Sequence, residues 1–435
     1  MNRKTLDAEI LSVGTELLRG HVTNTDARDL SRLLAQTGVK VRWHTVVGDE
    51  PCRLRESVEI AKGRADIIIT TGGLGPTCDD LTKEVLAEAF SLPLVRDEAE
   101  AAGLYEYIRY GSAYTPNNQS QALLPAGCTV FHNDWGTAPG CAFEAQGKLV
   151  LMLPGPPKEC LPMFERYGLP LLKKLAPACI VSHSMNIFGL GESAVDQMFR
   201  EEMNTMQNPG MAPYAKECDC LLQLTAEAES EEAAEALLRP VLARVRERLG
   251  DYVYGEDVES LEEALLALLK ESPATFATAE SCTGGDLARR FTELPGASAF
   301  FLGGVVSYTN EVKAGVLGVD RALIEKYGAV SEPVARAMAE RARAITGADY
   351  AISVTGLAGP DGDGVNEVGT VFVGLAAAEK SWVRELHLGA FRTRSFIRRM
   401  AGNVAFDMLR RRISGLPEME EKINNKGERT WQRTK

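Results

Sequence analysis

Glu280-Ser281-Cys282-Thr283-Gly284-Gly285 sets two hydroxyls and a thiol beside a glycine pair, between an apolar run at 275–279 and a helical pattern from Asp286. A strand-to-helix turn of this kind lets backbone approach a ligand and aims free N–H groups at it, as an anion or a developing oxyanion requires. Ser281 is the candidate nucleophile, with N–H groups near Thr283 and Gly284 as oxyanion donors. Taken alone, a Ser-x-Thr before a helix more often only caps it. Two further runs shift that balance: residues 301–308 lead into Tyr308-Thr309-Asn310-Glu311-Val312-Lys313, and 350–355 lead into Thr355-Gly356-Leu357-Ala358-Gly359-Pro360. One edge thereby gathers Ser281, Tyr308, Lys313 and Thr355. A serine nucleophile needs a base, and the one histidine of this half, His387, falls in a segment that reads as an edge strand. Lysine comes next. Its ordinary pKa of about 10.4 must fall to roughly 7–8, through desolvation or a neighbouring cation, before it accepts a proton. Taken alone, Lys313 reads as a solvated surface lysine. Cys282 is a rival nucleophile, since thiols at helix N-termini are acidified; as a neighbour of Ser281 it points the other way, so one of the two faces the site.

A second loop, Gly72-Gly73-Leu74-Gly75-Pro76-Thr77-Cys78-Asp79-Asp80, couples glycines to two carboxylates. Backbone N–H groups of Gly72, Gly73, Gly75 and Thr77 could cradle a phosphate while Asp79 or Asp80 holds a divalent ion against it. A lone glycine loop is weak evidence, and adjacent aspartates at a helix start are often caps. Glu16, Asn24, Asn133 and Glu159 are further polar groups expected at the same edge.

Such loops need strands that stop together at one edge. Ile10-Leu11-Ser12-Val13 stops at Gly14, residues 66–71 stop at Gly72-Gly73, and Leu149-Val150-Leu151-Met152-Leu153 stops at Pro154-Gly155-Pro156-Pro157. Apolar runs of strand length alternate with helical periodicity, which predicts parallel sheets covered by helices, with ligands at the carboxyl edge. A chain of 435 residues exceeds the roughly 250–300 at which single cores stop growing. The fold class expected is α/β: two three-layer α/β/α domains with largely parallel sheets, residues 1–168 and 256–414, joined by a small α+β middle domain at 169–255. In the last domain, strands are expected at 275–279, 301–308, 350–355 and 370–377. Ser331 is the expected N-cap of a helix opening with Glu332 and Pro333 and closed by Gly347. Residues 415–435, poor in apolar side chains, read as a disordered tail.

A formal net charge of −12 opposes general binding to nucleic acid, which needs clustered Lys and Arg. Nine cysteines without a C-x-x-C pair and five scattered histidines give no zinc pattern and read as reduced thiols. No apolar run approaches the length of about 20 residues that spans a bilayer, and the first residues carry no signal core, so the cytoplasm is the expected location.

The block from Glu280 to Arg398 also carries Gly328-Ala329-Val330-Ser331. It resembles the nicotinamide mononucleotide amidohydrolase (deamidase) domain of the competence/damage-inducible protein CinA family. By that resemblance Ser281 is the catalytic serine, Tyr308 and Lys313 assist proton transfer, and Thr283, Gly284, Gly285, Thr355, Gly356 and Arg394 line the substrate site. The implied reaction converts nicotinamide mononucleotide and water to nicotinate mononucleotide and ammonia, without a metal. Family members commonly carry Gly-Asp-Arg where this chain has Arg392-Thr393-Arg394, which puts the loop's shape and the role of the missing acid in question. Gly14-Thr15-Glu16-Leu17-Leu18, the glycine loop, Asn133-x-x-Gly136-Thr137-Ala138-Pro139-Gly140 and Leu153-Pro154-Gly155-Pro156-Pro157 are similar to the molybdopterin-binding-like domain that precedes the deamidase in that family. This likeness implies a pyrophosphatase acting on ADP-ribose with a divalent cation, Mg²⁺ or Co²⁺, and Asp79, Asp80 and Glu159 are the metal candidates. The expected partners are small nucleotides and, by default, a second copy in a symmetric dimer. A nucleotide-sensing or scaffold protein without turnover, and an N-terminal domain acting on a pterin, are the competing readings.

Overall fold

The computed structural model describes residues 6–109, 115–175, 179–417, 419–423 and 429–433. It falls into two compact units, one running to Ser182 and taking in Thr225–Leu238, the other comprising His183–Leu224 and the chain from Arg239 onward.

The first unit is built on β1 (Asp7–Val13), β2 (Lys40–Val47) and β3 (Ile67–Thr71), with β4 (Leu94–Arg96) and β5 (Leu123–Pro125) set apart as a small antiparallel ladder. β6 (Thr129–Phe131), β7 (Gly140–Ala145) and β8 (Lys148–Leu153) complete the main sheet, in the order β2-β1-β3-β8-β7-β6. Four strands are parallel, and β7 and β6 extend them antiparallel. Ile68 belongs to the core on one face and Ile67 and Ile69 to the core on the other. An unbroken apolar run is what a strand covered on both faces needs, each buried side chain contributing about 1.5–3 kcal/mol. Val13 pairs with Val47, Ser12 with Thr71 and Thr71 with Leu153, so the loops after four parallel strands open at one edge.

β9 (Cys179–Ile187), β10 (Gly210–Ala215), β11 (Cys220–Ala228) and β12 (Val253–Glu256) form a four-stranded sheet in the order β10-β11-β9-β12.

In the second unit β13 (Phe276–Glu280), β14 (Phe301–Val306), β15 (Tyr350–Gly356), β16 (Thr370–Ala376) and β17 (Ser381–His387) run in the order β14-β13-β15-β16-β17. β14, β13 and β15 are parallel, and β16 and β17 form an antiparallel extension with His387 on the outermost strand. Phe276, Ile352 and Val354 pack on one face; Ala277, Ala279 and Ala351 on the other make room for Val334, Met338 and Ala342 of the helix Glu332–Thr346. Ser331 precedes that helix, but its hydroxyl donates to the Gly328 carbonyl at 2.8 Å instead of capping the first turn. Glu280 pairs with Val306 on one side and Val354 on the other, so Ser281 and Ser307 leave the sheet beside Thr355, which still pairs with Phe372 of β16.

The stretch expected to be disordered carries a hairpin, β18 (Met419–Ile423) against β19 (Arg429–Arg433). Low apolar content argues against a core of its own, but a two-stranded ladder is held by backbone hydrogen bonds that composition does not report.

Candidate active site

Parallel register brings Ser281 and Lys313 together. The Ser281 N–H bonds to the Val354 carbonyl at 2.9 Å and the Ser307 N–H to the Glu280 carbonyl at 2.7 Å, which ties the three strand ends. Thr309 caps the helix Asn310–Gly315, accepting from the Val312 N–H at 3.3 Å, and this short helix turns Lys313 back over the edge. Lys313 Nζ lies 3.0 Å from Ser281 Oγ, 2.8 Å from the Ser307 carbonyl and 3.4 Å from the Tyr308 carbonyl. Lys313 is 1% exposed and Ser281 8% exposed. Burial holds the Lys313 amine below the ordinary lysine range, because the charged form is the one that loses solvation. A neutral amine in this place gives its two N–H groups to the carbonyls and turns its lone pair to the serine hydroxyl. The ammonium donates to all three oxygens. One geometry thus serves both protonation states, as a proton carrier requires.

The turn after Ser281 is held from several sides. The Glu280 carboxylate accepts from the Leu287 and Ala288 N–H groups, each at 3.0 Å, inside the first turn of the helix Asp286–Thr292. The Arg398 guanidinium donates to the Thr283 carbonyl at 2.6 Å. Gly285 sits at φ 92°, left-handed backbone that favours glycine. The expected oxyanion donors need a correction: the Gly284 N–H is taken by the Ser281 carbonyl at 3.0 Å. Among the described residues the N–H groups of Cys282, Thr283 and Gly285 carry no main-chain acceptor, and of the three residues only Cys282 is in the cavity lining. Cys282 packs in the hydrophobic core, and burial pushes its thiol up to about 12, which removes it as the nucleophile.

A cavity of about 240 Å³ opens over Ser281 and Lys313, with Tyr308, Thr355, Gly356 and Arg394 in its lining. The Thr355 hydroxyl donates to the Ala329 carbonyl at 2.8 Å. Arg394 donates to the Gly359 carbonyl at 2.6 Å and to the Tyr308 hydroxyl at 3.3 Å. Tyr308 therefore meets Arg394 through its hydroxyl, and reaches Lys313 only through its main-chain carbonyl. Thr283, Gly284 and Gly285, expected to line the site, lie on the turn after Ser281 and are not in the cavity lining. Asn310 and Asp361 line the cavity and were not expected there. Asn310 was adjacent to the Tyr308–Lys313 spacing, and Asp361 follows the Gly359-Pro360 pair, so position beside a loop motif was the signal available.

The first unit holds a larger cavity of about 530 Å³ at its sheet edge. Gly72, Gly73, Gly75, Thr77, Asp79, Asp80 and Glu159 line it together, with Glu16 and Asn24. Asn133 stands behind them and donates to Glu159 at 2.9 Å. Gly72, at φ 92°, lies so close to β1 that a Cβ there would meet the Val13 carbonyl oxygen at 2.2 Å. The expected phosphate cradle is partly committed elsewhere. The Gly72 N–H bonds to the Leu153 carbonyl at 3.1 Å and the Thr77 N–H to Asp80 at 2.9 Å, leaving Gly73 and Gly75 without an acceptor among the described residues. Thr77 also donates its hydroxyl to both Asp79 and Asp80. That hydroxyl bond holds the Asp79 carboxyl below its usual range. Asp26 and Asp49 complete a set of six carboxylates, against which the described lining offers no Lys, Arg or His. No three of its acidic side chains converge on one point.

The CinA C-terminal domain family matches residues 258–413, the probable molybdopterin binding domain family matches 9–174, and the damage-inducible protein CinA KH domain family matches 182–255. A CinA-like protein of Dictyoglomus thermophilum is 46% identical over 410 residues, covering 94% of this chain and 99% of that protein. A putative competence-damage inducible protein of Caldanaerobacter subterraneus subsp. tengcongensis is 45% identical over 409 residues, covering 94% and 98%. The chain belongs to the CinA family. Among solved structures, a CinA protein of Thermoplasma acidophilum described as of unknown function is 33% identical with a TM-score of 0.36, covering 38% of this chain and 98% of that one. The molybdopterin biosynthesis enzyme MoaB of Thermus thermophilus is 23% identical with a TM-score of 0.26, covering 39% and 97%. Within this CinA chain the unusual Arg392-Thr393 has a local account. Thr393 is the N-cap of the helix Arg394–Ile413, accepting from the Phe396 N–H at 3.2 Å, the service an aspartate also performs there. The Arg392 guanidinium lies over the rings of Phe391 and Phe396, at 5.0 and 4.4 Å from their centroids, and is not in the cavity lining. Arg394 keeps its place in the cavity.

Proposed function

We propose that this CinA protein is a nicotinamide mononucleotide amidohydrolase acting through a Ser281–Lys313 pair. The observation that carries the reading is the buried Lys313 amine 3.0 Å from Ser281 Oγ. Ser281 Oγ attacks the carboxamide carbon while its proton passes to Lys313 Nζ. The oxyanion takes a hydrogen bond from the N–H of Cys282, the residue of the turn that stands with Ser281 in the cavity lining. Lys313 then returns the proton to the departing amide nitrogen, which leaves as ammonia, and Ser281 is left as an ester. Water, deprotonated by Lys313, cleaves the ester and releases the carboxylate product. Arg394 is the one basic side chain of the lining apart from Lys313, and its guanidinium suits the substrate phosphate. Tyr308, whose hydroxyl accepts from Arg394, helps to fix that guanidinium.

In the first unit the reading is hydrolysis of a phosphoanhydride such as ADP-ribose. The donor set fits a divalent cation: Mg²⁺ prefers hard oxygen ligands and keeps several waters, needing only one or two carboxylates plus the substrate's phosphates. One or two of Asp79, Asp80 and Glu159, with the substrate's phosphates, would hold Mg²⁺ or Co²⁺, since no three acidic side chains converge; the cation would offset the charge of a phosphate in a pocket without basic side chains. No described helix is long and apolar enough to cross a membrane. Cytoplasmic work on small nucleotides, as a homodimer, is the setting this chemistry suits.

Ammonia release from nicotinamide mononucleotide, measured with the purified chain and its Ser281→Ala variant, tests the reading. Release by the wild type and a fall of at least about 10³-fold in the variant, with nucleotide binding kept, is expected. A folded wild type that binds without release would leave the sensing role in its place.

A further inference from the structure

The serine cavity has a floor and a rim. Ser281, Lys313 and Thr355 are buried, and the loop that follows Thr355 passes through Ala358, still buried, to Pro360 and Asp361, which are exposed. Tyr308 and Arg394 are exposed lining residues as well. The reacting groups therefore lie deep, and the mouth carries one guanidinium and one carboxylate.

Those two charges stand near each other without pairing. Arg394 donates to the Gly359 carbonyl and the Tyr308 hydroxyl, and the Cα atoms of Gly359 and Asp361 are at most about 7 Å apart along the chain. Among the described residues the Asp361 carboxylate has no hydrogen-bond or ion-pair partner. Asp363 of the same loop is the opposite case: it accepts from the Val365 N–H at 3.0 Å, the Asn366 N–H at 2.6 Å and the Asn366 side-chain amide at 3.1 Å. Asp363 shapes the loop. Asp361 does nothing for it and faces the cavity with both oxygens available.

A substrate that sets a carboxamide against Ser281 and a phosphate against Arg394 carries its ribose between them, next to the phosphate and so near the rim. A ribose presents two adjacent hydroxyls, and an ionised carboxylate accepts from both through hydrogen bonds of the stronger, charge-assisted kind. We propose that Asp361 accepts the 2′- and 3′-hydroxyls of the substrate's ribose, so that the serine cavity selects nucleotides with a free diol and rejects those phosphorylated on it. The proposal rests on the amidohydrolase reading and names the substrate class of that site. The charge that holds a hydroxyl repels a phosphate placed on the same oxygen. Asp361 is remote from the Ser281–Lys313 proton transfer, so it acts on KM and leaves kcat alone.

The test measures ammonia release by the wild type and by Asp361→Ala, on nicotinamide mononucleotide and on its 2′,3′-dideoxy analogue. Removal of the diol should raise the wild-type KM by about tenfold or more with kcat within about twofold. Asp361→Ala should raise KM for the natural nucleotide by a similar factor and no longer distinguish the two substrates. A wild type that does not distinguish them overturns the proposal without recourse to any variant, and so does an unchanged KM in Asp361→Ala. A loss in the variant that is equally large on the dideoxy analogue overturns it too, and assigns the carboxylate to the positive charge of the pyridinium ring. Release of ammonia from neither substrate by the folded wild type would instead overturn the amidohydrolase reading, and the proposal with it.

Discussion

Lys313 carries a cost beside its proposed function. Its amine is buried among a hydroxyl and two main-chain carbonyls, without a carboxylate partner, and its pKa falls because the charged form is disfavoured there. Only the neutral amine accepts the Ser281 proton, so the rate of amide hydrolysis should rise with pH and level off below the ordinary lysine pKa. Lys313→Met should lower kcat about 10²- to 10⁴-fold and abolish that pH dependence. Stability gives an independent reading of the same group. A depressed lysine pKa means that the unfolded chain binds the proton more readily over the window between the folded value and 10.5. Wild-type stability should therefore rise with pH across that window relative to the Met variant. Melting curves of both proteins between pH 7 and 10 would show a constant difference if Lys313 titrated normally in the fold.

At the scale of elements, the serine is only as well placed as the turn that carries it. Glu280 is the last residue of β13 and lies buried under the first turn of the next helix, accepting from two of its N–H groups. Glu280→Gln retains an acceptor for one of these and presents an NH₂ group to the other. The variant should lose about 1–3 kcal/mol of stability, and kcat should fall with KM little changed, since Arg394 and the rest of the lining are untouched. An unaltered kcat in the folded variant would mean that the turn holds its shape without Glu280. The sequence made the serine turn legible because a strand run, a hydroxyl and two glycines are adjacent along the chain. Lys313 followed from the need for a base where no histidine was near. What it could not reveal were bonds made across elements: Glu280 reaching seven residues on, Arg398 reaching the Thr283 carbonyl, and the Tyr308 hydroxyl turning to Arg394. Nor did periodicity distinguish the antiparallel β16 and β17 from further parallel strands, since buried strands of either kind read as apolar runs.

Two cavities among the described residues differ in their chemistry, each lined entirely by residues of one compact unit. The serine cavity is lined by Ser281, Lys313, Arg394 and a single carboxylate, Asp361. Its proposed steps move one proton between Ser281, Lys313 and the leaving nitrogen, and none of them calls on a metal ion. The acid-lined cavity presents the reverse case, since phosphates can enter it at neutral pH only if a cation accompanies them. Excess chelator should therefore leave ammonia release within about twofold and abolish ADP-ribose cleavage. Asp80→Asn should reproduce the second effect without the first. Both rates can be followed on one preparation, which separates a local loss from general unfolding. If chelation stopped ammonia release as well, the Ser281–Lys313 pair would not be sufficient and a metal would have to be sought beside Asp361. If Asp80→Asn slowed both reactions in a folded protein, the two cavities would be coupled, and the independence their linings suggest would be wrong.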